Sequence, residues 1–324
     1  MSAPRFDVVG LGNALVDVIT HEAEDFLSAH DLVKGSMALL EEDQASRLYA
    51  AMGVGTEMSG GSAANTVAGV ASFGGRAAFV GKVRDDELGR VFAHDLHANG
   101  VTFAASPATD GPSTGRCLIV VTPDAERTMS TYLGAGAAMG PESIDPGVIA
   151  DAKVVYLEGY LFDRPEAKEG YRKASRIAHE AGGQVALTLS DSFCVERHLE
   201  EWKALIDEQV DVLFGNADEV QVLCGASLED AVRQLQKRVG VAVITRGAAG
   251  SLVATPDHVI EVPAQMVAAV VDTTGAGDLY AAGFLYGYTN GLPLAECGRL
   301  GAVAAAEVIS HTGARPLVPR ASLR

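Results

Sequence analysis

The chain has 324 residues and a formal net charge of −17, with 48% hydrophobic residues, 36 glycines and a single tryptophan. That length suits two domains, or equally one large α/β domain with an insertion, and the composition suits a buried core with many tight turns. The acidic surplus argues against nucleic acid or an anionic membrane as a general partner, since either needs a basic surface, but leaves room for a local phosphate site.

Four scattered cysteines (Cys117, Cys194, Cys224 and Cys297) lack C-x-x-C spacing and read as reduced thiols rather than disulfides or a zinc site. Asn13 and Asp17 interrupt the apolar run over residues 8–19, so no signal peptide is expected there. No stretch reaches the roughly 18 apolar residues of a membrane span. A cytoplasmic, soluble protein is expected; a monomer and a dimer fit the sequence alike.

Residues 6–12 (FDVVGLG) predict a short buried strand ending in glycines, with extended chain over residues 15–19. The string GLGNALVD resembles a dinucleotide fingerprint but fails, because Leu15 stands where the third glycine belongs and no helix opens. Asn13 and Asp17, four apart beyond a strand end, can turn toward one cleft or serve only as an Asx-turn and a solvated acid. Residues 34–40 read as strand-like and residues 41–52 as an amphipathic helix. In SGGSAANTVAGVASFGG, Gly60 and Gly61 predict a tight turn and residues 62–73 a small-residue helix. Asn65 offers both donor and acceptor within it. Residues 77–80 are the next strand. GRAAFVGKV imitates a P-loop but is one residue too long and lacks Ser or Thr after Lys82. His94 and His97, i and i+3 on the following helix, are assigned no metal.

Residues 113–133 alternate and turn at Pro123-Asp124, which predicts a hairpin carrying Arg127 and Leu133. From about residue 140, strands and helices alternate: VVYLEG, a helix over residues 166–181, VALTLS, a helix over residues 195–208, and VDVLFGN. This is the pattern of a doubly wound, mostly parallel sheet, whose ligands bind at the carboxyl ends of the strands. Asn216 and Glu219 stand at such an end, in a pattern that also starts helices. Residues 241–246 give another strand, with Gly247 and Gly250 beyond it. Residues 267–271 (VAAVV) read as a buried strand. DTTGAGD follows at residues 272–278, and residues 279–288 predict a helix apolar almost all round. Gly275 and Gly277 let the amides of residues 275–278, Ala276 included, converge at a helix N-terminus, which favours an anion. Asp278 then lies beside an oxyanion nest, a pairing useful for phosphoryl transfer. An aspartate that merely caps its own helix is the alternative.

DTTGAGD with its apolar helix resembles the C-terminal signature of the ribokinase-like (PfkB) sugar and nucleoside kinases. GG with a following Asn, and GKVRDDELG, resemble that family's first signature. The resemblance covers nearly the whole chain and implies an ATP- and Mg²⁺-dependent kinase of a small molecule. It makes Asp278 the general base and the amides of Gly275, Ala276 and Gly277 the anion hole. Asn13, Asp17, Gly60, Gly61 and Asn65 would bind the sugar. Asn216 and Glu219 would position Mg²⁺ through waters and the triphosphate, and Thr245 with Gly247 would match the nucleotide-binding turn. Asp272 and Thr274 would frame a monovalent-cation site for K⁺, as in several relatives. The implied organisation is a ribokinase-like α/β domain (residues 1–13, 41–110 and 137–324) bearing a β lid (residues 14–40 and 111–136).

GNxLxD at the start, VLFGN at 212–216 and ECGRLG with TGARP near the end resemble adenosine kinases more than sugar kinases. That points to the 5′-hydroxyl of adenosine as acceptor, with a ribokinase- or fructokinase-type sugar kinase as the alternative. One departure concerns Gly159-Tyr160-Leu161-Phe162. Adenosine kinases commonly carry paired aromatics after this glycine, and here the expected stacking position holds Leu161.

Overall fold

The computed structural model describes residues 3–124 and 126–317; the outermost ends of the expected domain ranges and Ala125 lie outside the described residues. The strands are β1 (Phe6–Leu11), β2 (Leu15–His21), β3 (Met37–Leu39), β4 (Thr56–Gly60), β5 (Ala77–Val80), β6 (Val101–Phe103) and β7 (Gly115–Val121). They continue with β8 (Arg127–Tyr132), β9 (Ala152–Glu158), β10 (Gln184–Thr188), β11 (Val212–Asn216), β12 (Val241–Thr245), β13 (Ser251–Ala254) and β14 (Val259–Val262). Helices α1 (Glu24–Ala29), α2 (Glu42–Ala51), α3 (Ser62–Ser72) and α4 (Glu87–Ala98) precede the hairpin β7–β8. After it come α5 (Pro146–Ala150), α6 (Pro165–Glu180), α7 (Ser192–Arg197), α8 (Leu199–Gln209), α9 (Ala217–Cys224), α10 (Leu228–Leu235), α11 (Ala276–Thr289) and α12 (Leu294–Val308).

Nine strands form one sheet in the order β14-β13-β12-β11-β10-β9-β1-β5-β6, parallel except for the antiparallel β12–β13–β14 edge. Successive residues of its strands face opposite sides, as a two-residue period requires. Val8, Val154 and Tyr156 enter the core shared with α3, α11 and α12, whereas Val9, Val155 and Leu157 enter the core shared with α6, α8 and α9. Both faces are covered, which is why these strands read as near-continuous apolar runs. Helix α11 is apolar all round because it lies between α3, α12 and the sheet; Leu279 through Gly287 are all buried. Strand order reverses at β1, whose neighbours are β9 and β5. A crevice opens at such a reversal, outside the strands' carboxyl ends.

The second sheet has five strands, β3-β8-β7-β2-β4. The hairpin β7–β8 is antiparallel. Residues 14–40 and 111–136 supply four strands, and β4, from the stretch expected in the large domain, supplies the fifth by pairing Leu15 with Gly60. Residues 14–40 also contain α1, and only Met37–Leu39 of the strand-like run is paired. Two further expectations are corrected. The single helix over residues 195–208 is two, α7 and α8, broken at His198. The apolar run 267–271 is not a strand: it joins neither sheet, and Val270 and Val271 are 60% and 50% exposed.

Candidate active site

A cleft of about 760 Å³ lies between the carboxyl ends of the large sheet and the inner face of the small one. That is the size of a small-molecule site. Asn13, Asp17, Asn65, Asn216, Glu219 and Asp278 all line it, as does the turn Thr274–Gly277.

Asp278 is the third residue of α11 and does not cap it; Gly275 does, at φ 75°. A Cβ there would come 2.6 Å from that of Ala314, so this left-handed turn is reserved for glycine by both conformation and space. Asp278 Oδ1 accepts from Ser62 Oγ at 2.6 Å and Oδ2 from Asn65 Nδ2 at 2.9 Å. Each oxygen keeps a second lone pair for a proton. Burial pushes the Asp278 carboxyl above its ordinary range, opposed by Ser62, Asn65 and the charge of Arg315. Of the amides expected in the anion hole, that of Ala276 is bonded to the Thr273 carbonyl at 3.2 Å. Those of Gly277 and Asp278 take no backbone partner among the described residues, as first-turn amides do.

Asn13 and Asn65 are held from one side only. The Glu158 carboxylate ends β9, is 1% exposed, and accepts from Asn13 N at 3.1 Å, Asn13 Nδ2 at 2.7 Å and Ala63 N at 2.8 Å. Burial raises its pKa to about 7 against those three donors. Oδ1 of Asn13 and Oδ1 of Asn65 are buried acceptors with no donor among the described residues. Such groups are costly unless a ligand or water satisfies them. Asp17, midway along β2, is pushed up to about 6 by burial, opposed by the charges of Arg315 and Arg127. Gly60 and Gly61 make the crossing from β4 into α3. A Cβ at Gly60 would overlap the Asp17 carboxylate, and Gly61 turns at φ 94° against the Asn13 carbonyl. Their lack of side chains seats Asp17 and the Asn13 backbone.

Asn216 and Glu219 form a capping box at the start of α9. Glu219 N donates to Asn216 Oδ1 (2.9 Å), while Asn216 N and Nδ2 donate to the two Glu219 carboxylate oxygens (2.9 and 2.8 Å). The motif is therefore a helix start that also faces the cleft, and burial lifts Glu219 to about 7. Among the described residues no three His, Cys, Asp or Glu side chains gather closely enough to ligate an ion. A carboxylate that reaches a metal through water is the arrangement this donor set can offer. Thr245 ends β12 opposite Asn216 and lines the cleft; Gly247, in the turn beyond at φ 56°, does not.

The expected monovalent-cation site is different. Asp272 Oδ1 accepts from Thr274 N at 3.0 Å, and Oδ2 accepts from Gly313 N at 2.9 Å and pairs with Arg127 Nη1 at 2.5 Å. Arg127 also donates to Thr274 Oγ1 at 2.7 Å. Burial raises the Asp272 pKa, but the two amides and Arg127 outweigh it and hold the carboxyl below the usual range. A guanidinium takes both side chains that were to frame K⁺, so these side chains do not fit the ion.

Arg127 thus acquires a role the hairpin pattern could not assign. Glu158, an acid closing an apolar strand, and Arg315, inside TGARP, carried no spacing signal. Leu161 is 1% exposed and in the core, so it is not a stacking residue; Tyr160 and Phe193 line the cleft instead, 41% and 72% exposed.

A doubly wound sheet, a smaller sheet over its carboxyl edge, and a carboxylate beside free first-turn amides define the class: a phosphotransferase of the ribokinase-like fold. Residues 45–321 match the pfkB family carbohydrate kinase model, and the chain belongs to that family of ATP-dependent sugar and nucleoside kinases. It is similar to the adenosine kinase from Sinorhizobium meliloti, with 48% identity over 98% of each chain and a TM-score of 0.91. It is also similar to a probable sugar kinase protein from Rhizobium etli CFN 42, at 44% identity over 99% of this chain and 98% of that one, with a TM-score of 0.91. Among curated relatives, a 5-dehydro-2-deoxygluconokinase from Bacillus velezensis is 26% identical, covering 98% of this chain and 92% of its own.

Proposed function

We propose that the protein transfers the γ-phosphoryl group of ATP to the 5′-hydroxyl of adenosine, giving AMP and ADP. The observation that carries this reading is the apolar and aromatic share of the cleft lining, which we take as the slot for the acceptor's base. Tyr160 and Phe193 line it from the large domain, and Met37, Leu39, Ile119 and Leu133 from the small sheet. A purine is a flat apolar ring that fills such a slot, and aromatic stacking contributes about 1–3 kcal/mol per base in related contacts. A free sugar would leave it wet.

The ribose then lies over Asn13, Asp17 and Asn65. Asp17 accepts its hydroxyl protons, and the unpaired Oδ1 atoms of Asn13 and Asn65 accept the remainder. This holds the 5′-oxygen close to the phosphorus, where positioning supplies much of the rate. Asp278 takes the 5′-hydroxyl proton as the new O–P bond forms and the bond to the ADP oxygen breaks. The amides of Gly277 and Asp278 donate to the transferring phosphoryl oxygens, with the dipole of α11 behind them. Asp278 returns its proton to solvent as product leaves. Glu219, oriented by Asn216, would hold Mg²⁺ through water near the triphosphate, where the ion neutralises charge on the phosphate oxygens.

The curated relatives support a second reading, a kinase of 5-dehydro-2-deoxygluconate or a ribokinase- or fructokinase-type substrate. It keeps every catalytic role and changes only what fills the slot. Incubation with ATP and a panel of nucleosides and sugars, with products identified by mass, separates the two. AMP as the main product supports adenosine; a sugar phosphate with no AMP overturns it.

A further inference from the structure

Three consecutive residues near the end of the described chain touch both walls of the site. Gly313 N donates to Asp272, Ala314 packs against the Gly275 turn, and Arg315 crosses to the opposite wall. Arg315 is 8% exposed. Its Nε and Nη2 donate to the Ser59 carbonyl at 3.1 and 2.8 Å, Nη2 also to Ser59 Oγ at 2.7 Å, and Nη1 to the Ala64 carbonyl at 2.5 Å. Ser59 lies one residue before the end of β4. Ala64 lies in the first turn of α3, between the two residues, Ser62 and Asn65, that hold Asp278.

All these acceptors are neutral. A buried charge satisfied only by neutral groups is expensive, so the carboxylates it faces at longer range matter. They are Asp95, Asp17 and Asp278. Asp95 on α4 accepts from Ser59 N at 2.9 Å and from the Ser59 hydroxyl, so Ser59 is gripped between an acid and a base. Asp278 faces Ser62 and Asn65 on α3, Asp17 on β2, Tyr156 and Glu158 on β9, Tyr160 beyond it, and Arg315. Arg315 is the cation that faces Asp278, and Asp17 faces both Arg315 and Arg127.

We propose that Arg315 is a positioning residue for phosphoryl transfer: it clamps the Ser59–Asn65 shelf against the anion turn and supplies the positive charge that Asp278 and Asp17 face. The proposal rests on Asp278 being the base. It assigns a catalytic consequence to a side chain that touches neither substrate nor reacting atom.

The test is the pH profile of kcat, measured with ATP and adenosine, or with whichever sugar of the panel is turned over. In Arg315→Met the shelf loosens and the cation is lost. Here kcat should fall by about ten- to a hundredfold, the scale of a small misplacement, and its acidic limb should move to higher pH. Arg315→Lys keeps the charge but not the fork, so kcat should fall while the limb stays near the wild-type position. Asp95→Asn keeps an acceptor for Ser59 and removes a negative charge, so the limb should move to lower pH. Should Arg315→Met fail to show a cooperative melt, the other two variants still decide. A limb in the wild-type position in Asp95→Asn, or a limb in Arg315→Lys that moves to higher pH, overturns the proposal. Asp278→Asn is run alongside: full turnover there overturns the base assignment itself, whereas an inactive Asp278→Asn with unmoved limbs elsewhere overturns only the role of Arg315.

Discussion

Asn65 donates its side-chain amide to Asp278 Oδ2 at 2.9 Å, across 213 residues of sequence. The bond joins the helix after the Gly60-Gly61 turn to the helix that DTTGAGD opens, and with Ser62 it fixes the orientation of the Asp278 carboxylate. The other end of the Asn65 amide, Oδ1, is a buried acceptor with no donor among the described residues.

Asp278→Asn removes the proton acceptor with little change in shape. We expect a folded protein that still binds ATP and loses kcat by about 10²–10⁴, the usual contribution of a general base. Asn65→Ala should show a smaller loss in kcat together with a higher KM for the acceptor, because Asn65 serves both base and sugar. Near-normal turnover by a folded Asp278→Asn variant contradicts the assignment.

Asp17 gives the acceptor a pH dependence whose sign follows from its burial. With its pKa raised to about 6, the carboxyl is protonated below that pH and can no longer accept two hydroxyl hydrogens. KM for the acceptor should therefore rise as pH falls through about 6 and be flat above it. In Asp17→Asn, KM should be high throughout and lose that dependence; a charge-assisted hydrogen bond contributes about 1.5–3 kcal/mol. Deoxy analogues that compete as well as adenosine would place Asp17 elsewhere.

Arg127 bridges the small sheet to Asp272 and Thr274, where a monovalent ion was expected. Turnover should be unchanged when K⁺ and Na⁺ are replaced by tetramethylammonium at constant ionic strength. Arg127→Met should lower kcat by about ten- to a hundredfold, the scale of a small misplacement of the turn that Asp272 and Thr274 begin. Strong activation of the wild type by K⁺ contradicts this account.

The parts of this site readable in the sequence are local. DTTGAGD closes its turn within seven residues, and N-x-x-E closes its capping box within four, so spacing alone places their groups. The strand-and-helix alternation after residue 140 likewise needs only period and breakers. What escaped is tertiary. Glu158 meets Asn13 across 145 residues and Arg315 meets Ser59 across 256, and no local period encodes either partner. The run 267–271 shows the converse: apolar composition permits a strand, but only a neighbour with free backbone groups makes one. Leu161 and Tyr160 reverse for a similar reason. Adjacent residues in the tight turn after β9 point apart, and the larger ring took the cleft while the aliphatic side chain took the core.

The central claim is that the slot beside the base is built for adenosine. The most direct test is kcat/KM for adenosine against ribose, fructose and 5-dehydro-2-deoxygluconate at one ATP concentration. We predict that adenosine exceeds each free sugar, since the sugars carry no flat ring to stack on Tyr160 or Phe193 and one lost stacking face corresponds to about ten- to a hundredfold in affinity. A higher kcat/KM for any of the three sugars would contradict the claim and leave the chain a sugar kinase.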